Sequence, residues 1–338
     1  MGEIDGSIGH PEEYKLARQA GVDVDADTSE YDWTQIREIR FAAEHNVNLL
    51  QYCDSSFLSP QMQEIRIGLE EELDVSIYAN ADFDWYQMAE LRKGIKAGLD
   101  VSCYADTEFD ALSMEQIRLG MENGQDVLTK AREGYDGRIL RVYRHGLEEN
   151  IDLSIHMEEG YSWDQLEEIL ICKEENIPIE PYLSLCYFGQ QIKEIRDGIL
   201  ADIDVSVYAK EQYNWMQMRE IRIGMEERLD ISIYQNCLFQ WQQMREIRLG
   251  LEQGIDVTRY AALGKSSGEM KRLRLKYSKE EPALEYDEEQ MKEIVLGLEA
   301  GIDVNAFSSP SLSAEVMHTI REKMMHSLSE PGEEGSEV

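Results

Sequence analysis

The sequence lacks the features that mark a secreted, disulfide-stabilised or membrane-spanning protein. Its five cysteines show no CxxC or other metal-ligand spacing, which disfavours both a disulfide framework and a zinc site. No stretch approaches the roughly 18 apolar residues that a transmembrane helix needs. The N-terminus has no charged segment followed by an apolar one, so it does not resemble a signal peptide. These absences predict a cytoplasmic protein without a transmembrane segment.

Basic residues are scarce relative to acidic ones. Lys and Arg total 33 against 68 Asp and Glu, which gives a formal charge of −35. Such a field disfavours direct binding to nucleic acid or to an anionic membrane, and it suits a protein partner with a basic surface. The alternative is that the charge only keeps the protein soluble. With 42% hydrophobic residues and seven prolines, the composition is that of a folded chain.

Catalytic and metal-binding motifs are also missing. The chain contains no GxGxxG, GxxxxGK[ST], HExxH or GxSxG, and its six histidines are scattered. Asp23, Asp25 and Asp27 alternate as in a calcium loop, but Thr28 and Thr34 occupy the places of the required glycine and glutamate. We therefore expect neither an enzyme nor a cofactor or metal site.

What the sequence does contain is an internal repeat with a period of about 26 residues. QMREIR begins at Gln217 and again at Gln243, and related hexapeptides begin at Gln61 and Gln87. The apolar residue after the glutamine, which we call the anchor, is Ile36, Met62, Met88, Met114, Leu140, Leu166, Ile192, Met218, Met244, Met270, Met291 and Met317. All five tryptophans lie three residues before an anchor, and an aromatic residue follows eight of the anchors at one fixed distance, as Tyr234 follows Met218. Two aromatic classes in phase indicate a true repeat architecture.

Each unit predicts a pair of helices. Asp84 and Gln87 form a capping-box pattern, and Met88, Leu91 and Ile95 form the apolar stripe of a first helix. Both aromatic ladders are expected in the core, and the glutamine before the anchor, for example Gln217, is expected to face solvent. A mid-helix glycine recurs, at a conformational penalty, so we expect close approach of the next helix there. These glycines are Gly68, Gly94, Gly120, Gly146, Gly198, Gly224, Gly250 and Gly297.

The first helix is predicted to stop at a glycine or asparagine, such as Gly98 or Asn46, which tolerates the left-handed conformation. A recurring aspartate two residues later, such as Asp100, reads as the N-cap of a short second helix. Because one such pair cannot bury both of its faces, the predicted fold is all-α, an α-solenoid of about thirteen helix-turn-helix repeats. Residues 1–30 are expected to form an N-terminal capping unit and acidic linker. Residues 31–325 would form the array, irregular at 264–290, and 326–338 a disordered acidic tail.

The consensus Q-M-x-E-I-R-x-G-L-E-x-G-x-D-V-S-x-Y-A resembles short helical repeats of uncharacterised Firmicutes and mobile-element proteins. The resemblance spans about residues 31–325. It departs from the pattern at Lys130 and His156, which occupy the tyrosine position, and after Gly264. The resemblance implies a repeat fold and transfers no activity or site residue.

Two sets of residues are candidates for binding a partner. The first is a ladder of glutamates two residues after the anchor, each followed by an arginine two residues later in most units. It comprises Glu64, Glu90, Glu194, Glu220 and Glu246. A solenoid displays such ladders along an extended surface. The alternative is ion pairing between repeats, with each arginine bonded to the recurring aspartate.

The second set is a basic segment in this otherwise acidic chain, Lys271, Arg272, Arg274 and Lys276. Lys276 replaces the mid-helix glycine, and the next anchor, Met291, arrives roughly five residues early for the repeat period. Either the stack is irregular there or the segment contacts an anion or a partner.

Two functions fit these observations. The first is a monomeric, non-enzymatic scaffold that binds another protein. The second is an acidic mimic of DNA that inhibits a nucleic-acid-binding protein, of the anti-restriction or anti-CRISPR type.

Overall fold

The computed structural model describes residues 10–23, 30–280, 286–310 and 312–329. The described residues are helical, without a strand, and the chain divides into two compact units, residues 1–193 and 194–338. In the first unit α1 packs on α2, α2 on α3, α3 on α4, α4 on α5, α5 on α7 and α7 on α9. In the second unit α11 packs on α12, α12 on α13, and α14 on α15. The predicted all-α, α-solenoid fold class is confirmed.

The α-helices follow the predicted repeat. They are α1 (His10–Gln19), α2 (Trp33–Glu44), α3 (Ser59–Glu70), α4 (Trp85–Lys96), α5 (Ala111–Glu122), α6 (Leu128–Arg132), α7 (Gly137–Glu148), α8 (Ser154–Glu159), α9 (Trp163–Glu174), α10 (Gly189–Leu200), α11 (Trp215–Glu226), α12 (Trp241–Glu252), α13 (Ser267–Glu280), α14 (Glu288–Glu299) and α15 (Ala314–Ser329). Eleven of the twelve anchors are fully buried, and the exception is Met291, which is 45% exposed. The anchor stripe is therefore the core of the stack.

The second helix of most units is a single 3₁₀ turn, such as Val75–Ile77 or Ile231–Ile233. The recurring aspartate caps it as predicted, since the Asp74 carboxylate accepts the Ser76 amide at 3.0 Å. In the two units where Lys130 and His156 replace the tyrosine, short α-helices α6 and α8 stand in its place.

Long helices end in a residue with positive φ. Gly98 and Asn46 do so as predicted, with φ of 76° and 59°. Glu72, Asp202 and Arg228 adopt the same conformation, with φ between 55° and 58°, although their side chains are less suited to it. The repeat geometry thus overrides residue preference at this turn.

The mid-helix glycine leaves room for the tyrosine of its own unit. Tyr234 is fully buried, and its hydroxyl donates to the backbone carbonyl of Glu220 at 3.2 Å. A Cβ atom on Gly224 would overlap that hydroxyl. Burial raises the pKa of Tyr234 above its ordinary value, so the hydroxyl stays protonated and keeps donating. The predicted close approach is present, but the contact comes from the 3₁₀ turn and tyrosine of the same unit and not from the long helix of a neighbouring repeat.

The glutamine before the anchor is buried, so the prediction that Gln217 faces solvent is wrong. Its side-chain oxygen accepts the backbone amide of Asn214, which completes the capping box of α11. Its amide nitrogen donates to the carbonyls of Cys237 and Phe239, at 3.0 and 2.7 Å, in the loop that enters α12. Glutamine is used because it can cap its own helix and fix the following loop at once.

Replacing Gln217 by methionine should lower the free energy of unfolding by about 2 kcal/mol. The substitution conserves the shape of the side chain but leaves two loop carbonyls and the capping amide without this partner. Gln242 is exposed on the next long helix, and its replacement by methionine is the matched control. Urea denaturation of the two variants compares them, and equal midpoints would contradict the structural role of the glutamine.

The described helices reach close to both ends of the chain. α1 packs against α2, and its Tyr14 and Ala17 are buried, so the N-terminal unit joins the stack. Residues 24–29, which hold most of the predicted acidic linker, lie outside the described residues. α15 continues to Ser329, beyond the predicted end of the array at 325, and the predicted tail from 330 onward also lies outside them.

A candidate partner-binding surface

The five glutamates predicted to bind a partner are enclosed between neighbouring helices. Glu64, Glu90, Glu194 and Glu220 are between 5% and 8% exposed, and the Glu246 side chain is 13% exposed. Each accepts a hydrogen bond from the arginine 28 residues later, in the next long helix. The distances are 2.9 Å for Arg92–Glu64, 2.8 Å for Arg118–Glu90, 2.8 Å for Arg222–Glu194, 2.7 Å for Arg248–Glu220 and 2.9 Å for Arg274–Glu246.

These contacts match the alternative interpretation of the ladder, which is ion pairing between repeats. One detail of that interpretation needs correction. The arginine binds glutamate, whereas the recurring aspartate caps the 3₁₀ turn. Burial by itself would lower the pKa of Arg248, but the carboxylates of Glu220 and Glu252 raise it above the ordinary value. Arg248 therefore stays protonated, and its hydrogen bond to Glu220 joins adjacent repeats. The expectation that these glutamates form an exposed acidic surface is wrong for the described structure.

At two other junctions, different residue pairs occupy the two ladder positions, and in each case both members change together or remain able to bind each other. Gln116 replaces the glutamate beside Arg144, whose Nε donates to the glutamine oxygen at 2.9 Å. At the next junction both members are apolar, Val142 and Leu170, and both are buried in one cluster. The two positions are thus complementary to each other, and an ion pair is one of several solutions.

Each long helix has an outer face that its neighbours leave at least partly open to solvent. Residues one and five positions after the anchor lie about 100° and 140° around the helix from it, outside the buried sector. In the second unit the first of these positions holds Arg219, Arg245 and Lys271, on α11, α12 and α13. We call these three residues the basic row. All three are exposed, and none forms an ion pair with a described residue.

Apolar side chains flank the basic row. Trp215 and Trp241 lie one helical turn before Arg219 and Arg245 and are half-buried. On the other side, one turn later, are the half-buried Ile223 and Leu249 and the 46% exposed Leu275. Because α11, α12 and α13 pack side by side, these residues form parallel aromatic, basic and aliphatic rows across one face.

The first unit does not sustain this pattern. The same position holds Gln63, Ala89 and Glu115 on three successive helices. Two arginines do occupy it, Arg37 and Arg141, but they form ion pairs with carboxylates at 3.3 and 3.6 Å.

Two further lysines occupy the same repeat position, on α10 and α14. Lys193 on α10 is the last residue of the first unit, and Lys292 on α14 follows the irregular connection; both are exposed. In the second unit α11, α12 and α13 pack in sequence and carry the three cations of the basic row.

The four residues of the predicted basic segment lie on different faces of α13. Lys271 joins the basic row, and Arg272, at the glutamate position of the ladder, is exposed. Arg274 is 7% exposed and belongs to the buried ladder, through Glu246. Lys276 is exposed, 5.8 Å from the Tyr277 ring. The four residues thus do not form one site.

Sequence reasoning missed Arg219 and Arg245. The sequence pattern that could have identified them is a basic residue at the same repeat position in three consecutive units. The tryptophans were expected in the core, but four are half-buried at its rim and Trp85 is 37% exposed. Trp215 and Trp241 can therefore contribute to a surface.

One acidic groove lies in the first unit. It has a volume of about 620 Å³ and includes Asp106, Glu108, Asp110 and Asp136 in its lining. Arg132 at its edge donates to the Cys103 carbonyl at 3.0 Å.

The described residues contain no cluster of three or more His, Cys, Asp or Glu suited to a metal ion. None of their helices is long and apolar enough to cross a membrane. No family model, curated protein or solved structure matches this chain. Its function must therefore be inferred from the surface itself.

Proposed function

We propose that this chain is a non-enzymatic helical-repeat scaffold that binds another protein, and that the partner docks on the outer face of α11–α13. The observation that carries the proposal is the basic row, whose three cations form no ion pair with a described residue while half-buried tryptophans and aliphatic residues lie on either side. Tryptophan and arginine are among the residues most enriched in energetic hot spots of protein interfaces.

The spacing of the basic row fits an extended contact. Neighbouring helix axes lie about 8–10 Å apart, so three cations on consecutive helices span about 16–20 Å. A partner segment with several carboxylates and some apolar side chains would satisfy both the charges and the flanking rows. Nucleic acid fits less well, because the net charge of −35 repels it while phosphate binding needs many basic contacts.

The DNA-mimic alternative has less support than the sequence indicated. The glutamates that would imitate phosphates are buried and paired with arginine. A mimic would need other carboxylates, such as those of the acidic groove, arranged over a larger surface. We retain this alternative as an outcome of the test below.

A photo-crosslinking amino acid at Gln242, between Trp241 and Arg245, tests the docking surface. In cells of the source organism we expect a discrete crosslinked protein from the full chain. The same amino acid at Gln63, exposed on the outer face of the first unit, should not give that product. Reversing the basic row with Arg219→Glu, Arg245→Glu and Lys271→Glu should abolish the crosslink while leaving the circular dichroism spectrum unchanged.

The recovered partner then distinguishes the two functions. For a scaffold, charge reversal in the basic row should weaken binding at least about tenfold, and duplex DNA should not compete. For a DNA mimic, duplex DNA should displace the chain, and the basic-row variant should bind as well as the original. The second result would contradict our proposal.

A further inference from the structure

The acidic groove of the first unit lies where one long helix departs from the repeat. In most units the glutamine before the anchor donates to two carbonyls of the following loop, as Gln87 does to Thr107 and Phe109 at 3.4 and 2.6 Å. On α5 this position holds Ser113, whose side chain is too short to reach the loop in that way. Ser113 lines the groove together with Tyr135 of the following loop. The groove therefore occupies the place that the glutamine side chain fills in a regular unit.

The missing glutamine leaves hydrogen-bonding groups without a partner. Ser113 is 5% exposed; its backbone amide donates to the Asp110 carboxylate, but among the described residues its hydroxyl has no hydrogen-bond partner. The two loop carbonyls at the repeat spacing are those of Glu133 and Tyr135, and neither receives a hydrogen bond from the described part of the chain. Buried polar groups are normally paired. A buried hydroxyl that lines a groove and binds nothing of its own chain indicates that a ligand binds there.

Two aromatic rings are uncovered at the same groove. Phe109 and Tyr135 line it and are half-buried. Phe83 and Phe239 occupy the same repeat position in regular units and are only 4% and 5% exposed. The face of an aromatic ring attracts a cation, and the attraction grows where the site is partly shielded from water. The uncovered rings therefore suit a cationic group.

Carboxylates give the groove its charge. Asp106, Glu108 and Asp110 line it and form no ion pair with a described residue. The Asp136 carboxylate lies 3.7 Å from the guanidinium of an exposed arginine outside the groove. Against these four carboxylates the lining contains one guanidinium, that of Arg132. The groove is thus complementary in charge to a cation.

An arginine side chain matches these groups better than a lysine side chain. The guanidinium is planar and has five N–H donors in fixed directions, so it can donate to the Ser113 hydroxyl and to a loop carbonyl while it pairs with a carboxylate. It also stacks on aromatic rings, whereas the compact lysine ammonium is more strongly hydrated. A volume of about 620 Å³ is in the range of ligand pockets and leaves room for the backbone that carries the arginine.

We propose that the acidic groove binds an arginine side chain of a partner protein, whose guanidinium takes the place of the missing glutamine amide. The guanidinium donates to the Ser113 hydroxyl and the Tyr135 carbonyl, pairs with Asp106 or Glu108 and lies against the Phe109 ring. The groove belongs to the first unit, whereas the basic row belongs to the second. This inference therefore stands independently of the docking surface proposed above.

Blocked amino acids provide the probes. Nα-acetyl-arginine methylamide carries the guanidinium, and Nα-acetyl-citrulline methylamide has nearly the same shape without the charge. In ligand-observed NMR titrations with the full chain, we expect the arginine probe to bind at least about tenfold more tightly, because a hydrogen bond to a charged group contributes roughly that factor. Nα-acetyl-lysine methylamide should bind more weakly than the arginine probe.

Ser113→Gln is the most informative variant, because it restores the residue of the regular units and leaves the net charge unchanged. It should reduce the affinity for the arginine probe to that for the citrulline probe, with an unchanged circular dichroism spectrum. Asp106→Asn combined with Glu108→Gln removes two charges and should weaken binding of the arginine probe at least about threefold. Asparagine is accommodated at this loop position, since Asn80 accepts the same backbone hydrogen bond in another unit. Arg219→Glu, in the basic row, should leave the affinity unchanged.

Four results would overturn the inference. Equal affinity for the arginine and citrulline probes would exclude a cation site, and equal affinity for the arginine and lysine probes would exclude selection of a guanidinium. Arginine binding that persists in Ser113→Gln would reflect general attraction to an acidic protein. A dimer in sedimentation velocity that Ser113→Gln converts to monomer would assign the groove to an arginine of a second copy of this chain.

Discussion

Replacing Glu220 by valine is expected to lower the free energy of unfolding by about 3 kcal/mol, since it leaves the buried Arg248 without its inter-repeat carboxylate. Arg248 is 8% exposed and retains only the ion pair with Glu252 on its own helix. The loss should appear in urea denaturation as a lower midpoint. It should also appear as faster hydrogen exchange in α11 and α12, because each repeat is stabilised mainly by its neighbours.

Another junction of the same protein suggests a second substitution that should restore the stability of this variant. Val142 and Leu170 occupy the same two ladder positions at another junction and are both buried. Glu220→Val combined with Arg248→Leu should therefore recover most of the lost stability, because it replaces the ion pair by an apolar pair that the fold already accommodates. If the double variant is as unstable as the sum of both single variants, the two positions are not complementary in the way we describe.

Replacing Gly224 by leucine should have a comparable effect, at about 3 kcal/mol, the upper end for overpacking. Even the first carbon of the new side chain would overlap the Tyr234 hydroxyl and approach Ile231 Cγ2 to 3.0 Å. The tyrosine would have to leave its buried site and its hydrogen bond to the Glu220 carbonyl. Near-ultraviolet circular dichroism should report the displaced tyrosine, alongside a lower denaturation midpoint.

Gly268 is the control for this substitution. It also lies in a long helix of the second unit, but a Cβ atom there would meet no atom within 4 Å. Gly268→Leu should therefore leave stability unchanged or raise it by about 0.5–1 kcal/mol, because glycine disfavours helix. Equal losses at Gly224 and Gly268 would show that the contact with Tyr234 does not explain the recurring glycine.

The sequence by itself determined the repeat, the helix boundaries and the core. Periodicity identifies these features because they are local: Asp84 caps the helix that follows it, and Gly98 ends the same helix in a left-handed conformation. The anchors are apolar in every unit, and a position that must be buried in each copy shows itself by repetition. The aromatic residue that follows the anchor at a fixed distance obeys the same logic, as the buried Tyr78 and Tyr234 show.

Only the tertiary structure decided which polar positions face a neighbouring repeat and which face solvent. Helical geometry gives the angle between Arg219 and Glu220, but the packing of the adjacent helices determines that Glu220 lies inside and Arg219 outside. The same holds for Gln217, whose partners lie 20 and 22 residues away in the chain. A polar side chain is buried when its hydrogen-bonding groups find partners there, and those partners were brought together by the stacking of repeats.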